Sequence, residues 1–243
     1  DNYIALIINE SGITGDHPCD EWNTYGGDEG GDVYLVTDGD AIDLNVAGIE
    51  TGCEGKEPVD IRSLDVCGDT DEASLIAGAY CDTSVFYSTD GGWSWDESTK
   101  DPTGNYRAYV IWYPTCAEGA LAGTWGDECA LSMTCTSDQV ENVGESWNQI
   151  SLINTDIDMV RWLGFSPGYV CEDTETMFMV TRDTREDTVS VFRNDGTYWE
   201  RVFLAEDKGD YAAYNAEASP WWKLEVSPDF NETNCVYIAN EYF

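Results

Sequence analysis

The chain has 243 residues, with 48 Asp or Glu against 11 Lys or Arg, and its formal net charge is −37 at pH 7. Hydrophobic residues make up 42% and aromatic residues 13%, which is enough apolar surface for a core and argues against disorder. So acidic a chain would repel a phosphate backbone, and we expect no nucleic-acid partner.

The acidity has three compatible explanations. A solvated acidic face keeps a protein soluble in a salty medium. Carboxylates can also hold divalent cations between subunits, and calcium is the cation that such hard oxygen ligands suit. The third explanation is a basic partner. The composition leaves all three open, so calcium is the only cofactor that it suggests.

Nine cysteines in a strand-rich chain favour an oxidising compartment. No Cys-x-x-Cys spacing occurs, which leaves thioredoxin chemistry and zinc ribbons without support. An odd number leaves one thiol free or bonded to another chain. The disulfide candidates are Cys19, Cys53, Cys67, Cys81, Cys116, Cys129, Cys135, Cys171 and Cys235.

Other local signals also favour an extracellular or cell-surface location. No apolar run approaches the 18 residues of a membrane span. The abrupt start at Asp1 is typical of a mature secreted product. Asn9 and Asn231 each begin an N-glycosylation sequon, which is a weak signal.

The first element in chain order is an apolar strand within residues 1–10, "NYIALIIN". It is apolar on both faces, as a strand buried between neighbours would be. It either completes a blade in its own chain or is exchanged into an adjacent subunit by strand addition. "DVYLVTDGDAIDLNVAG", from Asp32 to Gly48, then predicts the third and fourth strands of a repeated unit.

A unit of four short strands recurs along the rest of the chain. It spans residues 62–98, returns over 106–151 and 159–203, and ends with two strands in 222–243. Turn acids recur with it at Asp38, Asp90, Asp138 and Asp195. This repeat predicts one all-β domain over 1–243, a small β-propeller of about four to five four-stranded antiparallel blades with disulfides. We expect residues 221–243 and 32–47 to share the closing blade.

The best-preserved turn, "YSTDGGWSWDES", resembles the Asp-box or BNR repeat of sialidase-like and sortilin-like propellers. The matching residues are Ser88, Asp90, Gly92, Ser94 and Trp95. Weaker copies include Thr136, Asp138, Gly144, Ser146 and Trp147 in the second unit, Asp195 and Trp199 in the third, and "TDGDAID" near Asp38. The resemblance implies that Asp90 and Trp95 brace a structural turn, away from a catalytic face.

Blade geometry predicts how the cysteines divide between the two faces. Cys67, Cys116, Cys135, Cys171 and Cys235 should share the face of the Asp-box turns. Cys53, Cys81 and Cys129 should lie on the other. Cys67 and Cys81 then lie at opposite ends of a strand, which disfavours their pairing.

Catalytic chemistry has little support in the sequence. A sialidase needs an arginine triad, and none of the seven arginines lies in the expected Arg-Ile-Pro-like segment. His17 is the only histidine, which makes a Ser-His-Asp triad improbable. Weak calcium candidates are Asp38, Asp40, Asp43, Asp69 and Asp71. The tryptophans that could stack sugars, although blade packing explains them better, are Trp112, Trp125, Trp221 and Trp222.

The sequence therefore favours a non-enzymatic extracellular structural protein that assembles with copies of itself, as a surface-layer or filament subunit. A carbohydrate-binding or glycoside-hydrolysing propeller is the first alternative. A receptor-like, protein-binding propeller is the second.

Overall fold

The computed structural model describes residues 3–7, 32–37, 40–44, 46, 61–68, 73–80, 82–114, 118–126, 128–136, 142–151, 157–169, 176–183, 185–206 and 222–239. This part of the chain is all-β, and its strands pair in antiparallel ladders. The predicted all-β class is confirmed. The strands follow one another in five sequential groups, each of which occupies one stretch of the chain.

The first group is a three-stranded sheet in the order β1-β2-β3. Its strands are β1 (Tyr3–Ile7), β2 (Asp32–Thr37) and β3 (Asp40–Asp43). The second is a four-stranded sheet in chain order. Its strands are β4 (Ile61–Cys67), β5 (Ser74–Ala79), β6 (Val85–Ser88) and β7 (Asp96–Glu97).

The third and fourth groups form one eight-stranded sheet, because the single residue pair of Met159 with Trp125 joins them. The third contains β8 (Tyr106–Trp112), β9 (Gly119–Trp125), β10 (Leu131–Cys135) and β11 (Asn148–Gln149). The fourth contains β12 (Met159–Phe165), β13 (Met177–Asp183), β14 (Thr188–Asn194) and β15 (Trp199–Glu206).

The fifth group is a two-stranded sheet of β16 (Lys223–Val226) and β17 (Val236–Ala239). A one-turn helix, α1 (Phe230–Thr233), connects them, and Asn234 ends it in the left-handed conformation with φ 54°. The predicted repeat of four strands therefore matches the strand order of the second, third and fourth groups.

The pairing of the two chain ends differs from the expected shared blade. β1 pairs with β2 over five residue pairs, from Tyr3 opposite Val36 to Ile7 opposite Asp32. β1 thus occupies the edge of β2 that a C-terminal strand would need. No pairing between described strands connects β16 or β17 to the first sheet, so this part of the chain shows no closed ring.

The first sheet also differs in the strand positions expected for residues 32–47. In each later sheet the first strand contacts the first strand of its neighbour, as β4 does with β8 and β12 with β16. In the first sheet it is β1 and β2 that contact β4. β2 and β3 therefore correspond to second and third strands, whereas the sequence predicted third and fourth strands; Asp38 itself lies outside the described residues.

Period-2 alternation directs each sheet toward both of its neighbours. In β5, Leu75 and Ala77 lie in a core cluster with Val33 of β2 and with Leu44, which directly follows β3. Ile76, between them, joins a different cluster with Val110 of β8. Successive side chains of a strand point to opposite faces, so one strand contributes to two cores.

The same alternation continues through the later sheets. Leu121 of β9 packs with Met177 and Met179 of β13. Phe178 and Val180, which alternate with those methionines, pack with Leu224 of β16. Four core clusters thus lie between the five groups of strands, in chain order.

Gly78 of β5 lies where the second sheet meets β8 most closely. A Cβ at this position would lie 2.2 Å from the Ala108 carbonyl oxygen, so even one methyl group would force the sheets apart. We predict that Gly78→Ala lowers the free energy of unfolding by about 1–3 kcal/mol. Urea denaturation measures this free energy. The control is Ala41→Ser at an exposed position, which should stay within about 0.5 kcal/mol of wild type. Equal stabilities for the two variants would contradict this packing.

Candidate functional site: Asp-box turns and a first-strand cluster

The turn of residues 88–95, which resembles an Asp-box, is closed by its own side chains. Ser88 Oγ accepts the Gly92 N–H at 2.9 Å and donates its proton to Asp90 Oδ1 at 2.8 Å. The Asp90 carboxylate accepts the Ser94 N–H at 2.9 Å and the Ser94 hydroxyl at 2.6 Å. These bonds satisfy backbone donors that the tight turn leaves without a strand partner.

The turn is also fixed to the preceding sheet. Gly92 has φ 89°, and a Cβ there would lie 2.6 Å from Leu44 Cδ1. Trp95 donates its indole N–H to the Leu44 carbonyl oxygen at 3.2 Å and packs against the cluster that contains Leu44 and Phe86. The Trp95 indole therefore bonds to a carbonyl of the neighbouring group of strands.

The second copy uses a different residue from the one that the sequence indicated. Gly144 donates its N–H to Thr134 Oγ1 at 3.2 Å, which is the contact that Gly92 makes with Ser88. Thr134 therefore takes the place assigned to Thr136, because the inserted residues lengthen the turn. Asp138 lies outside the described residues. Trp147 is buried against Tyr87 of the preceding sheet.

The third copy is shorter and more exposed. Gly196 donates its N–H to Asn194 Oδ1 at 2.7 Å, and the Thr197 hydroxyl donates to Asp195 Oδ1 at 2.7 Å. Trp199 is partly buried and packs against the core cluster that lies between the third and fourth groups. All three box tryptophans thus pack on the preceding group, which makes these turns links between sheets.

A second, unpredicted cluster lies at the opposite ends of the strands. The guanidinium carbons of Arg107, Arg161 and Arg62 lie 4.4, 4.7 and 5.2 Å from the ring centroid of Trp125. Arg107 also stacks on Tyr80 at 3.9 Å and donates a hydrogen bond to its hydroxyl. Cations over aromatic faces are attracted by the ring quadrupole.

The three arginines occupy equivalent positions in three successive sheets. Arg62, Arg107 and Arg161 each coincide with a register shift in the first strand of their sheet. A β-bulge inserts a residue and redirects a side chain. The bulges therefore direct all three guanidinium groups toward one indole, and Arg107 accordingly has a left-handed φ of 47°.

Aromatic and charged side chains continue this cluster toward the fifth sheet. Tyr109 and Trp162 lie with ring centroids 5.2 Å apart. Lys223 Nζ lies 5.1 Å from the Trp162 ring. The name first-strand cluster is used below for Arg62, Arg107, Tyr109, Arg161, Trp162, Lys223 and Trp125. Exposed Lys223 and Glu225 open it to solvent on the β16 side.

Burial dominates the electrostatics at the edge of this cluster. Burial raises the pKa of the Tyr109 phenol, and the carboxylate of Asp65 adds to the rise while Arg62 opposes it. Burial also raises the pKa of Asp65, although its carboxylate accepts the N–H groups of Trp112 at 2.7 Å and Val66 at 2.9 Å. The Asp65 carboxylate thus links β4 with β8.

Sequence reasoning missed this cluster, although a signal was present. An arginine stands as the second residue of β4 and β8 and the third of β12, in "IRSL", "YRAY" and "MVRW". An arginine that recurs near the start of successive first strands is thus a signal that the sequence carries. Their convergence also depends on the bulges, which the sequence does not mark.

The other candidate residues do not form a site in the described part of the chain. Asp40 and Asp43 are exposed on β3, and Asp38, Asp69 and Asp71 lie outside the described residues. No group of three His, Cys, Asp or Glu that could hold a metal ion occurs among the residues described. Asn231 is exposed on α1, and Asn9 is undescribed. Trp112, Trp125 and Trp222 are buried, so they are not free to stack sugars.

Two of the four cysteines within the described residues carry free thiols. Cys129 is buried and donates to the Ile157 carbonyl oxygen at 2.9 Å, and burial raises the pKa of its thiol to about 12. Cys235 is exposed and free. Cys67 and Cys135 are disulfide-bonded, but no pair joins two described cysteines. Cys19, Cys53, Cys81, Cys116 and Cys171 lie outside the described residues, and the connectivity stays a prediction.

In the part of the chain that the structure covers, no helix is long and apolar enough to cross a bilayer.

Comparison with known proteins gives matches among solved structures, but none among family models or curated proteins. Among solved structures, a protein of unknown function from Dyadobacter fermentans is 13% identical, with a TM-score of 0.41 over 82% of this chain and 57% of that one. Sqt1 of Chaetomium thermophilum, solved with the N-terminus of a ribosomal protein, is 13% identical, with a TM-score of 0.36 over 82% and 60%. The chain thus spans less than two thirds of either.

The hydrogen bonds of Asp90 make the turn sensitive to acid. Burial opposes ionisation, but the bonds from Ser94 and Ser88 together hold the pKa of Asp90 below its usual value. A carboxyl with a lowered folded pKa stabilises the fold above its unfolded pKa, near 4, and this stabilisation is lost as pH falls through the folded pKa. We predict that Asp90→Asn costs about 1 kcal/mol at pH 7 and less at low pH. The measurement is urea unfolding of wild type and variant across pH, and a difference in the free energy of unfolding that stays constant with pH would contradict the prediction. Asp96→Asn, at an exposed aspartate, is the control.

Substitution of Arg107 tests whether planar stacking stabilises the first-strand cluster. Arg107→Lys keeps the charge but loses the flat guanidinium that stacks on Tyr80 and Trp125, so we predict a loss of about 1–2 kcal/mol in the free energy of unfolding. Arg193→Lys changes a partly exposed ion pair and should cost less than about 0.5 kcal/mol. Similar losses in chemical denaturation would show that stacking contributes nothing.

Proposed function

We propose that the chain is a non-enzymatic, Asp-box-type β-propeller that binds a ligand at the first-strand cluster. The fold is supported by five groups of strands in chain order, of which the three central groups pack on both neighbours by alternating side chains. It is also supported by Asp-box turns that link each sheet to the preceding one. On this proposal the five sheets are five blades, and their first strands surround the propeller axis.

The observation that carries ligand binding is the convergence of Arg62, Arg107 and Arg161 on Trp125. Three of only 11 basic residues lie together in a chain of net charge −37. The negative potential of the whole protein lowers the cost of gathering these cations. Guanidinium groups bind carboxylates in a planar, bidentate manner, and the nearby rings of Tyr109 and Trp162 offer apolar faces.

The ligand class that fits these groups is a carbohydrate with a carboxylate, such as a uronic-acid glycan. The arginines would hold the carboxylate and the rings would contact the sugar. The proposal is one of binding, because glycoside hydrolysis needs two carboxyl groups that face the scissile bond. Asp65, the buried carboxylate beside the cluster, already accepts two backbone N–H groups.

Acidic and neutral glycan arrays, followed by calorimetry, test this function directly. We predict that an oligosaccharide of glucuronic acid binds and that Arg161→Met weakens binding at least about tenfold, because a charge-assisted bond is lost. Arg193→Met makes the same charge change far from the cluster and should leave affinity unchanged. Absence of binding to any acidic glycan, or equal effects of the two variants, would refute the proposal.

Self-assembly at a cell surface, as a surface-layer or filament subunit, is the second candidate function. The N-terminal strand was its main sequence support, but β1 pairs within its own chain. A different observation now favours it, the exposed apolar strand β15. An extracellular location, inter-blade disulfides, calcium between subunits and glycosylation at Asn9 or Asn231 belong to this candidate. Electron microscopy with and without Ca²⁺ tests it, and dispersed single particles in both conditions would contradict it.

A further inference from the structure

We infer that copies of this chain associate by pairing along β15, which becomes the shared strand interface; this inference rests on the self-assembly candidate. β15 is the outermost strand of the eight-stranded sheet. It pairs with β14 along one edge, from Thr188 opposite Glu206 to Asn194 opposite Trp199. No described strand pairs with its other edge.

The apolar centre of β15 is exposed on both faces. Val202, Phe203 and Leu204 are 47%, 38% and 53% exposed. Phe203 and Leu204 alternate between the faces of the strand, and Val202 lies at a register shift with β14, so burial against this sheet's own core does not account for all three. An apolar edge strand of this kind is a template for pairing with another strand, and contiguous exposed apolar surface marks interaction sites.

Charge identifies the occupant as a second copy. β15 carries Arg201 against Glu200 and Glu206, and Arg193 of the adjoining β14 forms an ion pair with Glu200, so this edge is close to neutral. The whole chain carries −37. An equally acidic copy can therefore approach here with the least repulsion, whereas a basic partner would find little complementary charge.

The composition of the strand also suits pairing with itself. When two β15 strands run antiparallel about Phe203, the apolar segment 202–204 of one strand lies along the same segment of the other. Apolar residues then meet apolar residues along the centre, and cross-strand pairs of this type stabilise sheets. The glutamates of the two strands approach each other at the ends, so salt that screens them should strengthen the association.

Sedimentation velocity of the full chain, from low micromolar to near-millimolar concentration and in low and high NaCl, tests the inference. We expect concentration-dependent association that strengthens in high salt. Leu204→Lys and Val202→Lys, which place a charge on the edge, should each weaken it at least about tenfold. Trp93→Lys is the matched control, because it changes an equally exposed apolar residue in the Asp-box turn, and it should associate like wild type.

The outcomes separate the site from the function. A wild-type chain that stays monomeric throughout would overturn both this inference and the self-assembly candidate. Association that survives Leu204→Lys and Val202→Lys, with circular dichroism showing folded variants, would overturn the β15 interface alone. Hydrogen exchange gives a second measure, since protection of residues 199–206 should rise with protein concentration, and unchanged exchange there would also overturn the interface.

Discussion

Packing of the central groups of strands against both neighbours is the constraint on which the rest of this structure depends. Adjacent residues such as Leu75 and Ile76 belong to different core clusters, so every central strand is apolar on both faces. A sheet with two buried faces has no stable form outside the array, and burial of apolar area is the dominant favourable term in folding. The Asp-box turns follow from this constraint, since their tryptophans extend each core at its outer margin.

Polar side chains complete the contact between sheets near the first strands. Ser63 Oγ donates to the Ala108 carbonyl and accepts the Val110 N–H, both at 3.0 Å. Trp125 donates its indole N–H to the Val160 carbonyl at 2.8 Å. These bonds satisfy backbone groups where first strands approach without forming a ladder, and buried groups of this kind need a partner. The same approach brings the arginines together around Trp125.

Charge is distributed unevenly over the protein, and this uneven distribution separates the proposed functions. The first-strand cluster concentrates cations in a strongly acidic chain, which suits an anionic ligand. The edge at β15 is neutral and apolar, which suits a copy of the same chain. Ligand binding and assembly would therefore use different surfaces, so neither proposal depends on the success of the other.

The sequence by itself determined the all-β class and the strand order of the central repeats, because period-2 alternation and turn residues act locally. It also indicated the Asp-box turn, whose bonds from Ser88 and Asp90 lie within eight residues. It did not determine that β1 would occupy the edge of β2, that Thr134 would replace Thr136, or that Cys129 would be a buried thiol. Only the tertiary structure decided these features and the meeting of Arg62, Arg107 and Arg161, because each depends on bulges and on contacts between residues far apart in the chain.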